Sequence, residues 1–401
     1  MRPHTTARAF NSGLSNAWQA AFRGLVVAAL SVVAAGAAHA GGALPGTYGH
    51  KIYRVDYSLY PFVQVFFRTF DENKQPLVNL NELNIGLMVK GRAYDPMKRQ
   101  YRIESVRQKQ VGTRTVLVLD ASKSMAGAPF EAALRAAARY VDTKRPQDEV
   151  AVLAIRDEKE GYQVVSQFER DPLAIARRLA DVQVDGMQSR IYDSVGAAMQ
   201  MCGLSGQGSL DPGIENYIVS CSIVVFSDGL DEGSALAREE LMGRITNMPV
   251  PVPIYSLAYS KRSTEHFKNL EALSKNSFGN YYNVGETVDR MQAIVEEIQN
   301  IVQSDYVVTF RSYLPVDGES HAMKLGVEYP TGSGKFTYDS GSFEAIEPPP
   351  VTGVRERMGA LNATLPLLPD GNPHFSAAGG GAVAPAPATQ PPLPEPPAVV
   401  Q

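Results

Sequence analysis

The sequence predicts an α/β fold: a doubly wound, mostly parallel sheet inserted in a β-sandwich built from both flanks. Three patterns carry that reading. Beyond Gly112, apolar strands alternate with amphipathic helices, as in a mainly parallel sheet covered on both faces. Before it, and again from Asp305, the apolar period drops to two, the mark of antiparallel strands. The strands of the second flank cannot add easily to a finished α/β unit, so they are expected to pair with those of the first.

In order along the chain, 62–69, 84–90 and 101–107 read as strands, with turn chemistry such as Asp71-Glu72-Asn73-Lys74-Gln75-Pro76 between them. The run 115–119 (Thr-Val-Leu-Val-Leu) is too continuously apolar to have a wet side, so it is expected to be a central strand. A helix over 129–142 follows, with Pro129 in its first turn and a small-residue face of Ala132, Ala133, Ala136 and Ala137 for close packing on the sheet. Strands are expected at 149–155 and 164–168, helices at 172–180 and 191–202, and a second buried strand at 222–226. The unit closes with helix 235–247, strand 252–259, helix 264–275, strand 281–284 and helix 288–302. Strands 306–310, 323–329 and 335–338 then return to period two.

These readings divide the chain into 1–40, 41–110 (the first part of the sandwich), 111–303 (the α/β domain), 304–345 (the second part) and 346–401. The last segment, rich in Pro, Ala and Gly, has little to bury and is expected to be disordered. The first has Arg2, Arg8 and Arg23 ahead of an apolar run from 24 to 37, then Ala38-His39-Ala40, the pattern of a cleaved signal peptide. The competing reading, a membrane anchor, needs more length: a helix over 24–37 rises only about 21 Å, against a hydrocarbon core of about 30 Å. The mature chain is therefore expected to have no transmembrane span and to be periplasmic or secreted, with its charge moved from −4 to −7 by loss of three arginines. A net negative chain with 38 basic and 42 acidic side chains has no broad cationic surface, which argues against nucleic acid as a partner.

The chemistry lies at strand ends. Asp120-Ala121-Ser122-Lys123-Ser124 follows the first central strand, placing a carboxylate and two hydroxyls on alternate residues where open α/β sheets bind ligands. Such hard oxygens suit Mg²⁺, Mn²⁺ or Ca²⁺ rather than zinc. Gly186-Met187-Gln188-Ser189-Arg190-Ile191-Tyr192-Asp193 opens a later helix, and Phe226-Ser227-Asp228-Gly229 ends the next buried strand. Taken singly, Asp120 and Asp228 could merely cap turns.

Together the three segments resemble a von Willebrand factor type A domain, a Rossmann-like fold, with a metal-ion-dependent adhesion site, over roughly 111–303. The resemblance implies Asp120, Ser122 and Ser124 as the first loop, Ser189 as the second and Asp228 as the third. Ser122, Ser124 and Ser189 would contact the ion and the two aspartates act partly through water. One position is left for a partner's Asp or Glu carboxylate. Ser189 departs from the family's threonine, keeping the hydroxyl without the stiffening methyl. Lys123 stands where a small residue is common, and it and Arg190 bring cations near the site. The segment 62–95, with Arg68-Thr69-Phe70-Asp71 and Met88-Val89-Lys90-Gly91-Arg92, is similar to the extracytoplasmic part of envelope serine/threonine kinases of type VI secretion clusters, without a kinase segment.

The implied function is a secreted or periplasmic protein-binding module, for adhesion or assembly, rather than an enzyme. The competing reading is a structural or secretion-regulatory envelope protein whose metal site is vestigial. Thr331-Gly332-Ser333-Gly334-Lys335 lacks the first glycine and the Ser or Thr of a phosphate loop and reads as a hairpin turn. The acids Asp228, Asp231 and Glu232 read as a solvated loop rather than a second ion site. The two cysteines, Cys202 and Cys221, are too few for a zinc site; in an oxidising compartment they could bridge, or they could stay buried as free thiols.

Overall fold

A computed structural model describes residues 47–366, apart from 110, 204–217, 249, 261–262 and 286. The expected signal peptide and the chain beyond 366 lie outside the described residues. From Tyr48 onward the chain belongs to one contact unit.

The α/β part is a six-stranded sheet, flanked by helices, in the order β11-β10-β9-β6-β7-β8. Its strands are β6 (Gly112–Asp120), β7 (Glu149–Ile155), β8 (Tyr162–Glu169), β9 (Ile218–Ser227), β10 (Ile254–Tyr259) and β11 (Tyr281–Gly285). All pairings are parallel except that of β7 with the edge strand β8. The chain winds outward on both sides of β6, so a topological switch point falls between β6 and β9, at whose carboxyl ends open sheets form binding crevices. Helices α1 (Ala128–Thr143) and α6 (Met291–Val302) cover one face, while α3 (Ile191–Cys202), α4 (Arg238–Thr246) and α5 (Phe267–Asn276) cover the other; α2 (Pro172–Ala180) packs beside α1. The alanine face expected of α1 is buried on the sheet.

The two flanks interleave. One antiparallel sheet runs β1-β2-β12-β5, from β1 (Tyr48–Leu59), β2 (Phe62–Asp71), β5 (Tyr101–Ser105) and β12 (Tyr306–Arg311). The other runs β14-β13-β3-β4, from β3 (Ile85–Val89), β4 (Arg92–Ala93), β13 (Ser320–Glu328) and β14 (Phe336–Glu344). Each sheet thus pairs strands from before and after the α/β part: Val65 lies opposite Val308, and Leu87 opposite Leu325. Val63, Val65 and Phe67 face the other sheet through a common core, while Phe66 joins Tyr53, Val219, Val250 and Val307 against the base of the α/β part. With both faces covered, β2 loses the alternation a half-wet strand keeps.

Two expectations need correction. The helix placed at 235–247 begins only at Arg238, because the amides of Ala235 and Leu236 donate to the Asp193 carboxylate (2.9 and 2.8 Å) instead of entering a first turn. The segment 346–401, read as disordered, contains helix α7 (Thr352–Thr364). Its Val354 and the following Leu365 are buried against Leu59 and Phe62, with Met358 and Leu361 half-buried beside them. This stripe, spaced three to four residues apart, has something to bury, which the Pro, Ala and Gly content of the whole segment hides. Strand β1 also begins at Tyr48, ahead of the region read as strands. Among the described residues, no helix is long and apolar enough to cross a membrane.

Candidate functional site

Three loops meet at the carboxyl ends of β6 and β9. Asp120 ends β6 with its side chain 1 % exposed. Its Oδ1 accepts the Ser122 amide at 3.0 Å, and its Oδ2 accepts the hydroxyls of Ser189 at 2.9 Å and Ser227 at 2.7 Å. The Ser122 and Ser124 hydroxyls lie 3.0 Å apart, Ser124 being exposed and Ser122 buried. Asp228, half-buried, accepts the Leu230 amide at 3.1 Å and lies near enough to repel Asp120. Burial pushes the Asp120 carboxyl above its usual range and Asp228 adds to this, while the Ser122 and Ser227 hydrogen bonds pull the other way.

The loops are held from below by hydrogen bonds that the sequence reading did not include. Gly186 pairs with Ser122 in an isolated bridge, donating to the Ala121 carbonyl (3.2 Å) and accepting from the Lys123 amide (2.8 Å). A β-carbon at Gly186 would stand 3.3 Å from the Ala121 oxygen and from the Ser122 Cα, so glycine lets the two loops approach. Asp157 holds the second loop through the amides of Met187 (2.6 Å) and Gln188 (2.9 Å). The second and third loops interlock: the Glu232 amide donates to the Ser189 carbonyl at 2.7 Å, and Asp231 accepts the Tyr192 amide at 3.2 Å. Gly229 adopts φ +81°, and a side chain there would run into the His266 carbonyl.

Ser227 is the residue that sequence reading missed. Its hydroxyl donates to Asp120 and accepts the Gly229 amide at 3.0 Å, tying the third loop to the first. Its signal was present in the hydroxyl just before Asp228. The two cations of concern point elsewhere. Arg190 is engaged by Asp193 (Nε to Oδ2, 2.7 Å) and by the Lys159 carbonyl, while Lys123 is exposed and lies against the Met187 sulfur. Of the other acids, Asp231 is taken up by the Tyr192 amide at the start of α3 and by the Ser234 hydroxyl of its own loop.

Two carboxylates and three hydroxyls make a donor set of hard oxygens, and no Lys, Arg or His forms an ion pair with Asp120 or Asp228 among the described residues. Such a set fits a divalent cation of the Mg²⁺ kind, whose charge would balance the two acids. Among the described residues, no three His, Cys, Asp or Glu side chains cluster as a metal site of the usual acid or thiolate kind. At the opposite end of the sheet, Cys202 at the end of α3 and Cys221 near the start of β9 form a disulfide, Cα to Cα 5.6 Å.

Residues 115–230 match the family model of the von Willebrand factor type A domain, a span that takes in all three loops. The α/β part has the von Willebrand factor type A fold, and such domains are commonly protein-binding modules. Among solved structures, the SpRpn10 VWA domain aligns with 16% identity and a TM-score of 0.35, over 46% of this chain and 94% of its own. The vWF domain of the type V pili tip protein Mfa5 from Porphyromonas gingivalis aligns with 13% identity and a TM-score of 0.34, over 48% and 95%. Three N-terminal domains of that same pilus protein align with 10% identity and a TM-score of 0.34, over 76% and 78%. A search of the curated proteins finds no match.

Proposed function

We propose that this protein is a secreted or periplasmic, metal-dependent protein-binding module of the bacterial envelope, serving adhesion or assembly. Mg²⁺, or Mn²⁺ or Ca²⁺ in its place, would be held by the hydroxyls of Ser122, Ser124 and Ser189, with Asp120 and Asp228 acting partly through water. The bound ion supplies an electrophilic point for an Asp or Glu carboxylate of a protein partner. The observation that carries this reading is the convergence at Asp120, whose carboxylate takes hydroxyls from the second loop and from the end of β9 and, among the described residues, forms no ion pair. The reading is one of binding rather than turnover, in keeping with the domain family.

Two features support the compartment. The first 40 residues carry the pattern of an exported chain, and a disulfide between Cys202 and Cys221 suits an oxidising space. The likeness of 62–95 to the flank of type VI secretion envelope kinases makes those assemblies the first place to seek the partner.

Calorimetric titration with Mg²⁺ and Mn²⁺ tests the reading. Asp120→Ala is expected to abolish metal binding and leave the circular dichroism spectrum unchanged. Equal binding by the variant and the native protein would refute the site.

A further inference from the structure

The rim of the site is built from charged side chains used in two ways. Arg156 pairs with Asp185 and with Gln163, and Arg190 with Asp193, so both guanidiniums are spent on bracing the second loop. Asp157 is occupied by two backbone amides of that loop. Lys123 differs. It sits between Ser122 and Ser124, is exposed, and forms no ion pair with a carboxylate among the described residues; its ammonium lies against the Met187 sulfur, a weak acceptor. Its own amide is tied to the Gly186 carbonyl, so its backbone is fixed beside the second loop while its ammonium lies over Met187.

Met187 is the second unusual feature. It is 62 % exposed, yet its backbone is held by Asp157 on its amide and by the bridge that Gly186, before it, makes to Ser122. An apolar, polarizable side chain shown to water from a rigid loop costs little entropy to engage, and methionine is enriched at protein interfaces.

We infer that Lys123 and Met187 form a selectivity rim beside the ion, recognising a peptide segment with a second acidic side chain and an apolar side chain near the one whose carboxylate reaches the metal. Lys123 supplies the pairing charge for the second acid, and Met187 packs the apolar neighbour. This rests on the metal-dependent reading above and adds the chemistry of the partner to it. A partner with one carboxylate and no second acid leaves Lys123 unpaired against the ion and binds more weakly.

The test uses a displayed random-peptide library selected on the mature protein, with saturating Mg²⁺ or with EDTA, alongside Mg²⁺ titration of each variant. The native protein is expected to enrich, only with Mg²⁺, peptides with two acids and an apolar residue. Binding of the consensus peptide is expected to fall about fivefold in Lys123→Gln and in Met187→Ala. Lys123→Glu is expected to enrich peptides in which the second acid is replaced by Lys or Arg. A consensus with one acid, a consensus unchanged by Lys123→Glu, or no Mg²⁺-dependent enrichment overturns the inference. Absence of Mg²⁺ binding by the native protein overturns the metal reading itself, which separates the two failures.

Discussion

Asp305 and Asp120 are both 1 % exposed, and the molecule balances them in opposite ways. Asp305, just ahead of β12, receives the Arg68 guanidinium through two parallel hydrogen bonds of 2.8 Å, a fork that matches charge with charge. Asp120, at the end of β6, receives one amide and two hydroxyls, all neutral. Burial pushes both carboxyls above the usual range; at Asp305 the guanidinium opposes that directly, while at Asp120 the charge of a second acid, Asp228, adds to it. The first arrangement is complete within the chain and ties β2 to the residue that leads into β12. The second places Asp120 among neutral donors with a second acid, Asp228, close by, and the proposed cation site rests on that arrangement.

That contrast can be broken most forcefully at Arg68. Arg68→Met leaves the Asp305 carboxylate buried without its partner and is expected to cost about 3–5 kcal/mol in urea unfolding. The Asp120→Ala variant, unfolded the same way in chelator, is expected to cost far less, because it removes a buried acid that forms no ion pair among the described residues. Similar losses at both positions would erase the distinction. The disulfide comes next. Replacing Cys202 and Cys221 together by serine is expected to cost about 3 kcal/mol by freeing the loop they close, and thiol titration of the unfolded, unreduced native protein is expected to find no free thiol.

The smallest effect lies in the sandwich. His50 is buried, with Nε2 3.1 Å from the Leu325 carbonyl and Nδ1 3.0 Å from the Thr337 hydroxyl. Burial holds its pKa below the ordinary 6.5. The folded state therefore binds fewer protons than the unfolded one, and the stabilisation present above 6.5 is lost as pH falls through the lowered value. The slope attributable to His50 is expected to stay under about 1.4 kcal/mol per pH unit, and His50→Gln is expected to flatten it below the ordinary 6.5. An unchanged slope would show that other groups dominate the acid response.

Much of this architecture was legible before folding because it is written in short-range pattern. The continuous apolar run at 115–119 marked β6 as central, and Glu149–Ile155, Pro172–Ala180 and Ile191–Cys202 coincide with the elements expected there. The Asp-x-Ser-x-Ser run was readable for the same reason: its three side chains come from one turn after one strand. Ser227 was not, since its hydroxyl matters only through a carboxylate 107 residues away, brought beside it by the pairing of β9 with β6. Helix α7 was hidden by the composition around it, because its apolar stripe has value only against Leu59 and Phe62.

The sequence by itself determined the class of the elements of the α/β part, the strand ends at which oxygen donors gather, and the two flanks' period of two. Tertiary structure decided which flank strands interleave, that the first sandwich sheet is covered on both faces, and that Asp120 is balanced by hydroxyls while Asp305 is balanced by Arg68. The physical reason is one of range. Periodicity and turn chemistry act between residues a few positions apart. The sign and distance of the charge facing a buried carboxylate depend on strand register, which only the packed chain defines.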